Sequence, residues 1–369
     1  MKSNHLYINY YRKRLPFNNK QQKKKNEQKT SFTYLESYKY IPAYLFIFIL
    51  QFYLFFSSLA MKTSFILSLL LALFLISVSS QPFDYPTANL STTWTNNVSA
   101  PHSVTFTDGS TVRAILLRGS FGPRFACGFY CNGTCDSYLF AVFIVQTNSG
   151  SGIVQPAIGF PQVVWSANRE HPVKLGAKLN LNEAGDLVLQ DADGSVVWST
   201  NTAGKQVTGM QITDTGNLVL LDSNNVIVWQ SFDHPTDSLV PGQKLVEGQK
   251  LVASVSSTNW GKGLYSVEVT NKGLFGYLET TNPRRVYYRY LVNGPDRSKE
   301  RSYVRFLNGS LALFIHSAEP RRPDGAIRVP LASSAQYMKL MPDGHLRVLE
   351  WQSGWRVVAD LFGASRRRM

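Results

Sequence analysis

The stretch GDLVLQDADGSVVWSTNT, residues 185–202, returns as GNLVLLDSNNVIVWQSFD, residues 216–233. Gly185 and Gly216 are 31 residues apart, and Trp198 and Trp229 keep the same spacing. A shorter signature, Gly-x-Leu-x-(Leu/Val), comes back in GSLAL at 309 and GHLRV at 344. A period of this size marks a supersecondary unit that cannot bury its own apolar face. Several copies must then pack around a shared core.

The unit is built of strands. LVLQD and VVWST alternate in side-chain direction and are rich in Val, Leu and Trp. DADGS and DSNN between them are turns whose Gly and Asn tolerate positive φ. Turn residues recur throughout, and no helical periodicity appears after residue 81. The fold class is therefore all-β, with sheets folded around a common core. Trp165, Trp198 and Trp229 each close a unit and are expected to meet at its axis as core packing.

The formal net charge of +14 would suit a nucleic acid or an anionic membrane. Its distribution argues otherwise. Residues 1–60 hold ten Lys/Arg against Glu27 and Glu36, and with Lys62 set aside about +5 is left for the rest. A body so nearly neutral lacks the footprint of a nucleic-acid binder, so no nucleic acid is expected as a partner. The run Lys23-Lys24-Lys25 reads as a solvated tail.

Two apolar runs lie near the N-terminus. YLFIFILQFYLFF (44–56) is followed by Met61 and KTSFILSLLLALFLISVSSQ. Met61-Lys62, an apolar stretch from Phe65 to Ile76, and small residues Val78 and Ser80 make a signal peptide cut before Gln81. Residues 61–80 are then the signal peptide, and 1–60 a basic and apolar extension upstream of the native start. The alternative reading makes 41–80 a membrane anchor of one or two spans. Both put residue 81 onward in the secretory lumen or outside the cell.

Four N-glycosylation sequons agree with that location, at Asn89, Asn97, Asn132 and Asn308. Cys127, Cys131 and Cys135 crowd one short stretch. In a secreted chain one pair should be bridged and one thiol left over, with the pairing open. No fourth ligand lies nearby to complete a zinc set, so no metal and no cofactor are expected.

WQSFDHPTDSLVPGQKL (229–245) packs Asp233, His234, Asp237 and Ser238 together and invites a catalytic reading. A triad needs its nucleophile, base and orienter converging in space, which neighbours on one turn do not usually achieve. Pro235 fixes φ and starts a turn, while Asp233, Thr236 and Asp237 can bond local N–H groups. The stretch reads as a structural corner. No acid pair, metal set or nucleophile–base pair stands out elsewhere, and there is no kinase Gly-rich loop, H-R-D or D-F-G. No catalytic residue is assigned, and the chain is not expected to be an enzyme.

VVWSANREHPV (163–173), the two repeats and WQSFDHPTDSLVPGQKL together resemble the plant bulb-type lectins in their S-domain form. These occur in S-locus glycoproteins and in ectodomains of G-type lectin S-receptor-like serine/threonine kinases. ACGFYCNGTCDSYLFAVFIV (126–145) and QYMKLMPDGHLRVLEW (336–351) resemble the subgroup with tandem lectin domains. The resemblance covers about 82–362. It implies two β-prism II domains, at 81–240 and 241–362, each of three four-stranded sheets with pseudo-threefold symmetry, followed by a tail at 363–369. It also places the WQSFDHPTD stretch at the exit of the first domain. The final Arg366-Arg367-Arg368 reads as read-through or a truncated gene model.

The family's mannose motif is Gln-x-Asp-x-Asn-x-Val-x-Tyr, expected on one strand, where alternate residues share a face. The first repeat offers Asn182, Ala184, Asp186, Val188 and Gln190 at these positions. The second offers Thr213, Thr215, Asn217, Val219 and Leu221. The C-terminal copy offers Met341, Asp343, His345, Arg347 and Leu349. None is complete. Each hydrogen bond lost to a sugar hydroxyl costs on the order of 1 kcal/mol, so plain scaffold is the expectation for mannose itself. The candidate carbohydrate-binding residues are Asn182, Asp186, Val188, Gln190, Asn217, Val219 and Asp343, with the Asn182 strand the best remnant.

The function expected is non-enzymatic recognition at the plant cell surface or in the apoplast. The partner is a glycan, of mannose type or another, or a receptor ectodomain. Monomer and dimer both stay open. The alternatives are a receptor-like kinase whose catalytic half lies beyond this sequence, or a membrane-tethered structural glycoprotein.

Overall fold

A computed structural model describes residues 85–155, 159, 161–280, 282–295 and 300–363. The expected extension, signal peptide or membrane anchor at 1–80 lies outside the described residues, as do 364–369 of the tail. The described residues fall in one compact unit, Pro82–Met369.

Strands β1 (Thr87–Asn89), β2 (Thr92–Thr95), β3 (Ser103–Thr105), β4 (Thr111–Arg118), β5 (Gly122–Cys131), β6 (Leu139–Thr147) and β7 (Gln162–Ser166) come first. The repeats follow as β8 (Lys178–Leu181), β9 (Leu187–Gln190), β10 (Val196–Ser199), β11 (Val207–Ile212), β12 (Leu218–Asp222) and β13 (Ile227–Gln230). These thirteen strands make three antiparallel sheets, ordered β3-β4-β5-β6-β7, β2-β8-β9-β10 and β1-β11-β12-β13. A 3₁₀ turn, Ser231–Asp233, is the only helical element among the described residues.

After it come β14 (Ser238–Leu239), β15 (Lys244–Val246), β16 (Lys250–Ser254), β17 (Lys262–Thr270), β18 (Gly273–Leu278) and β19 (Arg285–Leu291). The chain continues with β20 (Tyr303–Leu307), β21 (Ser310–Phe314), β22 (Gly325–Arg328), β23 (Gln336–Leu340), β24 (Leu346–Trp351) and β25 (Trp355–Asp360). Three four-stranded sheets result: β16-β17-β18-β19, β15-β20-β21-β22 and β14-β23-β24-β25. The protein is all-β, with two successive three-sheet prisms.

Both prisms obey one wiring rule. Three consecutive meanders build the sheets, and the strands that precede them join as fourth members in reverse order. β1 completes the last sheet of its prism, β2 the middle one and β4 the first. β14, β15 and β16 do the same in the second prism. The first sheet of each prism forms from consecutive strands, while the middle and last sheets are finished only when the chain returns to β2 and β1, or to β15 and β14.

One sheet departs from the expected four strands. β3 pairs outside β4 through a hairpin that turns at Asp108 and Gly109. The sheet it extends is buried on both faces. One face feeds the core with Leu116, Phe129, Phe140 and Val142. The other packs Val112, Leu117, Ala126, Leu139 and Phe143 into a separate cluster against Trp260. Double burial is why YLFAVFIV is a continuous apolar run rather than an alternating one.

The Gly of each repeat signature has one structural reason. Gly185, Gly216, Gly309 and Gly344 all adopt positive φ. A Cβ at these sites would meet Val207, Phe125, Leu331 and Tyr265 respectively, each within 3 Å. The turn conformation and the neighbour's approach both demand glycine.

Trp165, Trp198 and Trp229 meet at the axis of the first prism. Their ring centroids lie 5.8–6.0 Å apart and every pair is T-shaped. The second prism has no such triad. Opposite Val348 stands Ala359, and opposite Leu313 stands Gly325. Leu251, Val267, Val304, Leu311, Met338 and Val348 fill that core instead.

Candidate functional site

The polar cluster at 233–238 spends its groups on joining the prisms. The Trp165 indole N–H donates to the His234 carbonyl (2.8 Å), and the His234 ring stacks on Trp229 with centroids 5.3 Å apart. The Gln249 amide donates to the Asp233 carbonyl at 2.8 Å, and Val252 N–H to the Thr236 carbonyl at 2.8 Å. Ser238 Oγ donates to Asp237 Oδ1 (2.8 Å), and Lys339 Nζ approaches Asp237 Oδ2 at 3.4 Å. Two prisms share this corner, and its side chains form ties within the fold.

Arg169, in the WSANREHPV segment, is a residue that sequence reasoning did not single out. It is 9% exposed. Its Nε donates to Trp260 O (2.8 Å), Nη1 to Val252 O (2.8 Å), and Nη2 to Ala253 O (3.0 Å) and Gly261 O (3.3 Å). A side chain from the first prism is thus caged by backbone carbonyls of the second. Burial pulls its ionisation down, and the charges of Asp237 and Glu170 oppose that. The outward hint was only its place between turn residues, Asn168 and His171.

The five motif positions of the first repeat span a hairpin instead of sharing one strand. Asn182 lies before the turn and Asp186 after it. Asn182 N–H donates to Asp186 O, and Asp186 N–H to Asn182 Oδ1, both at 3.0 Å. The Gly185 turn separates the two, so only Val188 and Gln190 lie on β9 itself.

Asp186 has no oxygen to spare. Ser199 Oγ donates to Oδ2 (2.6 Å), while Thr200 Oγ1 (2.8 Å) and the Thr202 N–H (3.0 Å) donate to Oδ1. Burial alone would raise this carboxyl, but those hydrogen bonds outweigh it and hold the pKa below the ordinary carboxylate value. Asp186 latches β9 to the end of β10. Asn217 holds the same place in the second repeat: its Nδ2 donates to Gln230 (2.8 Å), and its Oδ1 accepts from Ser231 Oγ (3.1 Å) and Phe232 N–H (3.2 Å). Asn217 and Val219 are both buried. In the C-terminal copy Asp343 accepts from Arg347 Nη2 at 2.6 Å, and His345 Nδ1 lies 2.7 Å from Asp360 Oδ2.

What stays open in the first repeat is the outer face of β2-β8-β9-β10. The register sets Thr93, Asn180, Val188 and Ser199 in one row across it, and Thr95, Lys178, Gln190 and Val196 in the next. Thr93 Oγ1 donates to Asn180 Oδ1 (3.2 Å). The Gln190 side-chain amide has no hydrogen-bond partner among the described residues, and it is partly exposed beside Val188. Asn180, Lys178 and Thr93 escaped the sequence reading because cross-strand neighbours are set by register, which the motif spacing does not contain.

Of the sequon asparagines, Asn89, Asn97 and Asn308 are exposed. Asn132 is partly buried, with Nδ2 3.5 Å from Thr258 O. Cys131 and Cys135 are bridged. Cys127 is fully buried, and burial pushes its thiol up to about 12. Among the described residues no cluster suits a metal ion, and no helix is long and apolar enough to cross a membrane.

Residues 162–261 match the family described as D-mannose binding lectin. This stretch runs from β7 through β16 and takes in the tryptophan triad, the corner and Arg169. Epidermal-type glycoproteins are similar. EP1-like glycoprotein 2 of Arabidopsis thaliana is 54% identical over 34% of this chain and 28% of its own length. The epidermis-specific secreted glycoprotein EP1 of Daucus carota is 48% identical over 34% of this chain and 33% of its own length. A G-type lectin S-receptor-like serine/threonine-protein kinase of Arabidopsis thaliana is 34% identical over 47% of this chain and 19% of its own length. The chain thus spans about a third or less of these relatives. Among solved structures, a two-domain lectin from Scilla campanulata, described as a fetuin-binding protein, covers 71% of this chain and 96% of its own at 13% identity and a TM-score of 0.26.

Proposed function

We propose, from the premise that this chain carries a bulb-type lectin domain of the S-domain family, that it is a non-enzymatic glycan-recognition protein of the plant cell surface or apoplast. The supporting observation is the open outer face of β2-β8-β9-β10. Gln190 presents an uncommitted amide there, Val188 an apolar contact for a sugar ring, and Asn180 and Asn182 further polar groups. Asp186 positions this face by latching β9 to β10 and does not itself touch the sugar. Asn217, Val219 and Asp343 serve the frame, being buried or tied to neighbours.

A face of this kind is shallow and holds a sugar by a few hydrogen bonds of about 1 kcal/mol each, so single-site affinity is weak. Full-strength mannose recognition is not expected from so reduced a set. The test is a glycan array probed with the full chain from a plant secretory host. Selective binding that is lost in Gln190→Ala supports the reading. A folded protein that binds no glycan overturns it, and directs the search to receptor ectodomains. The receptor-kinase relative raises that second role, in which the domain hands a binding event to a kinase. Transcripts that continue past Met369 into a kinase would support it.

A further inference from the structure

A pocket of about 490 Å³ opens at the seam where edge strand β2 meets β4 and β5. Its wall includes Arg113, Tyr85, Trp94, His102 and Phe129, and its lip Thr93, Thr95, Asn97 and Ser99. The size lies within the range of small-ligand sites.

Arg113 is the unusual member. It is 6% exposed, and no carboxylate pairs with it among the described residues. Nη1 donates to Asn96 Oδ1 (2.8 Å), and the guanidinium sits 4.9 Å from the Tyr138 ring centroid. Nε is buried without any hydrogen-bond partner, and Nη2 has none either. The hydroxyl of Tyr85, another wall residue, is likewise buried and unpaired. A buried cation without a counter-charge is costly, and unmade hydrogen bonds add to the cost. The pocket lining contains no Asp or Glu that could relieve it.

The remaining lining suits a sugar ring. Tyr85 and His102 stack face to face at 4.2 Å and offer the outer face of the pair, Trp94 adds another ring, and Thr93 and Thr95 put hydroxyls at the lip. The geometry points to a binding site for a carboxylated sugar, a uronic-acid residue, whose carboxylate pairs with Arg113 while its ring lies on the aromatic wall. Arg is suited to this because its planar fork accepts a carboxylate in two hydrogen bonds. The site shares the edge strand β2, through Thr93 and Thr95, with the Gln190 face, but its Arg113, Tyr85 and Phe129 wall does not belong to that face. It rests on the glycan reading only in taking a sugar as carrier of the carboxylate.

The test is calorimetric titration of the full glycoprotein with a galacturonic-acid trisaccharide and with the neutral galactose trisaccharide. The acidic sugar is expected to bind and the neutral one to bind at least about tenfold more weakly, with added salt weakening the acidic sugar. Arg113→Gln should lose at least about tenfold. Arg113 is buried, so a second variant guards against misfolding. Pro101→Trp, at the exposed lip and off the Gln190 face, should block entry and leave the melting temperature unchanged. Equal binding of the two sugars, undiminished binding in Pro101→Trp, or no binding of the acidic sugar by folded protein would overturn the proposal. Array binding that depends on Gln190 would survive each of those results, so the two readings fail separately.

Discussion

Removing the Arg169 guanidinium should cost more than any other single change on the surface shared by the prisms. Arg169→Ala deletes four charge-assisted hydrogen bonds, three of them at 2.8–3.0 Å. Hydrogen bonds to a charged group contribute about 1.5–3 kcal/mol each, but they are not additive. The burial that pulls this arginine's ionisation down is also relieved, which offsets part of the loss. Trp260 lies in a loop, so its carbonyl has no ladder to fall back on, whereas the Gly261 carbonyl keeps the Val255 N–H at 3.1 Å. The net loss should be about 3–4 kcal/mol. With a urea slope of ~3 kcal/mol/M, the unfolding midpoint falls by about 1 M. Arg169→Lys should recover less than half, because an ammonium cannot reach carbonyls on both sides of the cage at once. The assay is urea unfolding followed by tryptophan fluorescence, with amide hydrogen exchange read over 250–261. A loss under about 1 kcal/mol with unchanged exchange in that segment would refute the clamp.

Other consequences are smaller in scope. Trp198→Ala removes one corner of the tryptophan triangle, and with it two of its three ring pairs, and should cost about 3–5 kcal/mol, read as a lower midpoint in the same titration. Asp186 has a depressed folded pKa, so its contribution is present above the unfolded value of about 3.9 and is lost as pH falls below it. Asp186→Asn should therefore flatten the acid limb of stability below about pH 4 while lowering stability at pH 7, and an unchanged acid limb would count against the latch. Cys127 should resist alkylation in the native protein and react once urea unfolds it, since burial raises its thiol to about 12; rapid native labelling would contradict the buried placement. Gly216→Ala forces a Cβ at positive φ to within 2.5 Å of Phe125, and a melting temperature equal to the parent's would show that the turn can move.

Much of the fold was written in short-range signals. The repeat fixed a strand–turn–strand unit because Gly185 and Gly216 mark both a positive-φ turn and a neighbour's close approach. The tryptophans marked the axis because each ends a unit at the same register, Trp198 facing Leu189 and Trp229 facing Leu220. The polar corner read as structure because its residues are sequence neighbours, and they do form local and inter-prism ties. Three things were not legible. The extra strand β3 depends on how a hairpin edge is accommodated, and its short SVT sequence carries no signal of that. The motif's placement across a hairpin follows from where the turn falls, and the spacing of polar residues reads the same on a strand. The roles of Arg169 and Arg113 arise from partners up to 92 residues away, and no local pattern encodes them. Asp186 carries the same lesson: a candidate sugar ligand by its spacing, it latches β9 to the end of β10, while the Gln190 amide in the same set has no partner among the described residues.

Recognition, as proposed, is carried by the outer face of the sheet that holds β8 and β9. The most direct measurement is amide hydrogen exchange on the full glycoprotein, with and without the strongest glycans from the array. Protection concentrated at 178–190 and along β2 is the predicted result. Protection confined to other sheets, or none at glycan concentrations that saturate the array signal, would contradict it.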